Sequence, residues 1–175
     1  LHRSKLLSGS HFAARVLRIC ERLEEVATAG IDDAWSWGLG FSWRDLPATE
    51  PFLITSALIV RGALDCQREG GCPERLQRLV DNGKRALGRW PRHLACPVGE
   101  EGLSLPAYSP GICAPIYNAA AYCYATLKVA DDLDPGTGFG ATWQPSLEWI
   151  RSRRVTGLGW PYSPTNLVVD LLHQC

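Results

Sequence analysis

Hydrophobic and polar positions follow two patterns along this chain, and the patterns take turns. Between 11 and 29, Phe12, Val16, Cys20, Leu23 and Val26 recur at spacings of three and four, with Arg15, Arg18, Glu21, Arg22, Glu24 and Glu25 between them. That predicts an amphipathic helix with one face in water. Ser10 is placed to cap it and Gly30 to end it. From 52 to about 68, Phe52, Leu53, Ile54, Leu58, Ile59, Val60 and Leu64 surround the helix, and Arg61 is the one charge before Asp65. A helix that is apolar on every side is a buried one. The alternation continues. Pro73 opens an amphipathic helix over 73–90, and a helix over 112–130 has no charge until Lys128. Thr142 caps an amphipathic helix over 143–155 with Leu147 and Ile150 facing inward. Asn166 caps a sixth, apolar helix whose ionisable residues are Asp170 and His173.

Each apolar helix is entered through an aromatic, proline-containing loop. Residues 31–50 carry Trp35, Trp37, Phe41 and Trp43, and the later loops repeat one tripeptide, Tyr108-Ser109-Pro110 and Tyr162-Ser163-Pro164. This reads as a degenerate helical-hairpin repeat. No stretch with strand periodicity competes. The packing that satisfies both patterns has amphipathic helices outside and apolar helices inside. The expected fold is therefore all-α, with alternating outer and inner helices in two concentric layers. The aromatic loops would then converge at one end and line a cavity.

Composition bounds the function. The 175 residues are 46% hydrophobic and 21% charged, which is globular composition with enough apolar material for a core. Net charge is zero with the signs mixed, so nothing suggests nucleic-acid binding. The longest apolar run, near 112–127, is broken by Pro115 and Asn118, which argues against a membrane span. The seven cysteines are odd in number and include no CxxC pair; Cys20, Cys66, Cys113 and Cys123 fall within apolar helical patterns. They read as free, small buried hydrophobes, which places the protein in the cytoplasm. No zinc spacing occurs, and neither a metal nor a cofactor is expected. The lack of methionine and the apolar run reaching Cys175 mark residues 1–175 as a single domain, truncated at both ends.

The stretches Trp35-Ser36-Trp37-Gly38-Leu39-Gly40-Phe41-Ser42-Trp43, Tyr117-Asn118-Ala119-Ala120-Ala121 and Trp160-Pro161-Tyr162, the last leading to Asp170-Leu171-Leu172-His173, resemble the loops and inner helices of the six-hairpin glycosidase-like superfamily. That superfamily includes unsaturated-glucuronyl hydrolases, heparinase-type lyases and glucuronyl epimerases. The resemblance spans about residues 11–175 as architecture and implies an α/α toroid, of which the six helices, about three hairpins, would be half. It implies a carbohydrate ligand bound in a cavity at one end of the fold and, where there is catalysis, lyase, uronate-epimerase or glycoside-hydrolase chemistry. It does not choose among these.

On that reading His173 is the candidate proton-transfer group, with Asp170 one helical turn away to orient it and Tyr162 or Tyr108 assisting. Each has a plain structural alternative, since a buried ion pair and a packed imidazole satisfy the same pattern. Trp37, Trp43 and Trp160 are candidates to stack on sugar rings, or else staples that close the end of the core. Asn118, in a charge-free helix, either reaches a ligand or bonds a carbonyl near Pro115. Arg61 could hold a uronate but is more simply the partner of Asp65. Glu100-Glu101 diverge too much for paired glycosidase carboxylates, and the glycine-rich run 136–140 lacks the strand and Gly-Lys-Thr of a phosphate cradle. A terpene-cyclase-type toroid lacks its Asp-rich run. The competing class is a non-catalytic helical-repeat scaffold, which explains the alternation equally well.

Overall fold

A computed structural model describes residues 9–30, 33–69, 73–99, 102–134, 139–155 and 159–166. The predicted sixth helix, with Asp170 and His173, lies outside the described residues. Five helices run along the rest: α1 (Gly9–Glu25), α2 (Leu53–Arg68), α3 (Glu74–His93), α4 (Tyr117–Leu133) and α5 (Phe139–Ser152). Two antiparallel two-stranded sheets sit between them. One pairs β1 (Thr28–Ala29) with β2 (Trp35–Ser36), and the other pairs β3 (Ala95–Pro97) with β4 (Ser104–Pro106).

These sheets overturn the expectation of an all-α toroid. The described residues fold as a mixed domain, five helices with two small antiparallel sheets. The strands escape a sequence reading for a physical reason. They are two or three residues long, too short to show a period of two, and the second pair carries Pro97 and Pro106. The register of that pair, Ala95 opposite Pro106 and Cys96 opposite Leu105, turns the expected loop 91–111 into a hairpin. Both hairpins pack on α3 through β2, β3 and β4.

The helices pack in a chain of pairs. α2 packs on α3 and α4, α4 on α5, and α1 on α3. α3 is the joint, and its buried stripe runs from Leu76 through Leu79, Val80, Gly83 and Leu87 to Trp90. The α2–α3 crossing is closest at Gly83, where a Cβ would collide with Val60 and approach the Trp37 ring. The wet face of α3 is tied to α1 by Arg75 with Glu21 at 3.3 Å and by Arg78 with Glu24 at 3.3 Å. α2 and α4 meet through small residues. Ala57, Ala119 and Ala120 are fully buried, and the Thr126 hydroxyl donates to Ala57 O at 3.5 Å.

Several boundaries move. Pro115 disfavours helical backbone at Ala114, so α4 starts at Tyr117 and not at 112. That leaves Cys113 in an exposed loop and not in a buried helix; Cys66 is half-buried, while Cys20 and Cys123 are buried as expected. α5 begins at Phe139, so Thr142 lies inside it and not at its N-cap position. α3 continues through Pro91 to His93, where the missing proline N–H costs one bond in the last turn. α2 is not buried all round: Leu58 is 49% exposed.

Candidate functional site

The N-termini of α2 and α4 organise the site. Their N-cap residues, Phe52 and Ile116, are extended and make no side-chain cap. The leading amides are satisfied by carbonyls from the aromatic loop that comes later in the chain. Leu53 N–H donates to Tyr108 O at 2.9 Å, and Tyr117 N–H donates to Tyr162 O at 3.1 Å. Each Tyr-Ser-Pro loop therefore docks on the start of the preceding apolar helix. Inside each loop the serine is buried and its hydroxyl accepts an amide three residues on. Ser109 Oγ takes Ile112 N–H at 3.0 Å, and Ser163 Oγ takes Asn166 N–H at 2.9 Å. The tripeptides are equivalent in three dimensions as well as in sequence.

The first of these loops gathers three rings, two of them, Trp43 and Tyr108, among the predicted site aromatics. Trp43, Phe52 and Tyr108 pack edge to face, with centroids 5.8 Å apart for Trp43–Phe52, 6.2 Å for Trp43–Tyr108 and 5.2 Å for Phe52–Tyr108. Arg44 stands 4.5 Å over the Trp43 ring from a left-handed backbone, φ 54. The Glu50 carboxylate closes the loop by accepting Gly111 N–H at 2.6 Å. Burial, and then the neighbouring Tyr162, push the Tyr108 hydroxyl above its ordinary value. Burial there disfavours the phenolate.

Beyond Tyr162 the surface opens into a pocket of about 170 Å³ between α4, α5 and the loop at 159–162. Asn118, Trp160 and Tyr162 line it, joined by Tyr117, Leu147 and Arg151. Among the described residues no hydrogen bond claims the Asn118 amide, so the alternative bond to a carbonyl near Pro115 is not made. The Trp160 indole N–H donates to Ile150 O at 3.0 Å, and Arg154 stands 5.1 Å from its ring. Tyr117 packs edge to face on Trp149 at 5.8 Å, and burial pushes its hydroxyl up, partly offset by Arg153.

The other candidates sit elsewhere. Trp37 is 1% exposed, its indole N–H donates to Leu23 O at 2.8 Å, and its backbone N–H donates to Ser56 Oγ at 3.0 Å. It is a core staple. Arg61 bonds Asp65 at 3.3 Å. Asp170 and His173 lie outside the described residues. Sequence reading passed over Glu50, Phe52 and Arg151. Arg151 had a usable signal: it stands four residues from Leu147, on the same helical face. Among the described residues no cluster of three or more His, Cys, Asp or Glu could hold a metal ion, and no helix is long and apolar enough to cross a membrane.

Comparison with known proteins returns no match: no family model, no curated protein and no solved structure resembles this chain.

Proposed function

We propose that this protein binds a carbohydrate chain at the aromatic end of its helices, with the pocket beside Tyr162 holding one sugar residue. The observation that carries the reading is the composition of that pocket. An aromatic ring from Trp160, an uncommitted amide from Asn118 and a phenol from Tyr162 line one small concavity. Sugar recognition uses that combination: a flat apolar face for the ring and convergent polar groups for its hydroxyls. Arg151 on the wall, and the N-terminus of α4 at Tyr117 and Asn118, add positive potential. An acidic sugar is therefore favoured over a neutral one. The reading assigns binding to this pocket; Asp170 and His173 lie outside the described residues.

The test is titration with oligosaccharides of a uronic acid and of a neutral hexose, followed by calorimetry and tryptophan fluorescence. Binding of the acidic oligomer is expected, with Asn118→Ala and Arg151→Gln each weakening it about tenfold, or ~1.4 kcal/mol. Failure to bind either oligomer, or affinity untouched by both substitutions, overturns the reading. A second reading, a helical-repeat interaction surface, rests on a different place: Ile19 on α1, Val26 just after it and Leu58 on α2 are 51%, 44% and 49% exposed. Loss of self-association or partner capture on Leu58→Glu, with sugar binding absent, would favour it.

A further inference from the structure

We propose that Cys96 and Cys113 form a redox-active dithiol that closes to a disulfide when the protein meets a small-molecule disulfide such as oxidised glutathione. Cys96 lies on β3 and is 4% exposed; Cys113 lies in the loop between the second aromatic turn and α4 and is exposed. Their sulfur atoms are 3.4 Å apart although the residues are 17 apart in sequence. Contraction to a bond of about 2.05 Å needs only a small movement, and Cys113 sits in a loop segment where such movement is cheap. Among the described cysteines Cys113 is the exposed one, so it is the thiol an oxidant reaches.

The order of events follows from that asymmetry. The Cys113 thiolate attacks one sulfur of glutathione disulfide, forms a mixed disulfide and releases one glutathione thiolate. Cys96 then gives up its proton and attacks the Cys113 sulfur, and the second glutathione leaves as its thiolate. Two protein thiols are oxidised, one glutathione disulfide is reduced to two glutathiones, and the two protons lost by the cysteines go to the departing thiolates. Burial, reinforced by Cys113, holds the Cys96 thiol up at about 12, so Cys96 stays protonated and unreactive until a leaving group stands beside it. The new bond would lock the hairpin on α3 to the loop that carries Tyr108 and Gly111, and so stiffen the aromatic end.

The experiment uses the full chain, fully reduced and then incubated with excess oxidised glutathione. Intact mass is expected to fall by about 2 Da, with one crosslinked peptide joining Cys96 to Cys113. The melting temperature is expected to rise by about 5–10 °C, from closure of a loop this long in a chain this size, and dithiothreitol should reverse the rise. Quenching the wild-type reaction with N-ethylmaleimide at short times should trap a glutathione adduct on Cys113, which tests the order without any substitution. Cys96→Ser should accumulate that adduct, and Cys113→Ser should leave Cys96 unmodified. A stable adduct on wild-type Cys113 without closure, pairing of Cys113 with any other cysteine, or first reaction at Cys96 would each overturn the proposal.

Discussion

The two Tyr-Ser-Pro loops share a backbone and differ in what their rings meet. Tyr108 and Tyr162 both offer a carbonyl to the first amide of an apolar helix, at 2.9 and 3.1 Å, and Ser109 and Ser163 both fold the turn with a buried hydroxyl. Both rings are half-buried, but the Tyr108 ring packs edge to face on Trp43 and the buried Phe52, while the Tyr162 ring borders the pocket shared with Asn118, Arg151 and Trp160. One scaffold serves twice, once sealed with aromatics and once left open. Hydrogen bonding of the loop and accessibility of the ring are therefore separable, and substitutions can test each without the other.

The largest expected effect breaks the sealed side. Phe52 is 1% exposed and touches both Trp43 and Tyr108. Phe52→Ala should cost about 3–5 kcal/mol by denaturant unfolding, the range for removing a buried aromatic ring. Tyr162→Ala, at the open side, should cost about 1–2 kcal/mol, since its half-buried ring surrenders less buried area. Equal losses would mean that the Tyr162 ring is as structural as Phe52, and the contrast between sealed and open ends would fall.

The next effect tests what the loops share. Ser109→Ala and Ser163→Ala each remove an acceptor from a backbone amide and should each cost about 1 kcal/mol. The two sites should respond alike, because Ile112 N–H retains a contact to Ser109 O at 3.1 Å while Asn166 is exposed to water. A silent Ser163→Ala beside a costly Ser109→Ala would show that the second tripeptide keeps the spelling of the first without its job.

How much of this could be read from the chain depended on length of signal. The five described helices are long enough for a 3.6-residue period to emerge, and the recurrence of Tyr-Ser-Pro marked two loops with the same hydrogen bonds, although the sixth helix expected after the second lies outside the described residues. The strands at Thr28–Ala29 and Ala95–Pro97 were invisible, because two or three residues carry no period and their pairing is decided by packing on α3. Trp37 and Trp43 look alike in sequence, six residues apart in one aromatic loop, yet one is a core staple and the other part of a surface cluster. What separates them is a partner far along the chain, Ser56 for Trp37 and Tyr108 for Trp43. Local pattern cannot supply that. Arg151 shows the converse: its place on the Leu147 face was present in the spacing, but a charge there is read by default as solvated.

The smallest effect sharpens the comparison by pH. Burial, with a lesser contribution from Tyr162, raises the Tyr108 hydroxyl above its ordinary value of 10.0. Below that value the folded and unfolded chains both carry a neutral phenol, so its contribution to stability is intact. As pH rises past 10, the unfolded chain ionises first and the folded state loses ground until its own, higher value is passed. Tyr117, Cys66 and Cys123 are raised by burial too, so the wild-type protein should lose stability steadily above about pH 9. Tyr108→Phe removes one of these linkages and keeps the ring. The difference in unfolding free energy between wild type and Tyr108→Phe should change with the predicted sign between about pH 9 and 11, by less than ~1 kcal/mol because the ring is only half-buried. Parallel curves would mean that water reaches the Tyr108 hydroxyl as freely in the folded protein as in the unfolded chain. The first Tyr-Ser-Pro loop would then be open like the second, and the sealed end would become a candidate extension of the sugar-binding surface.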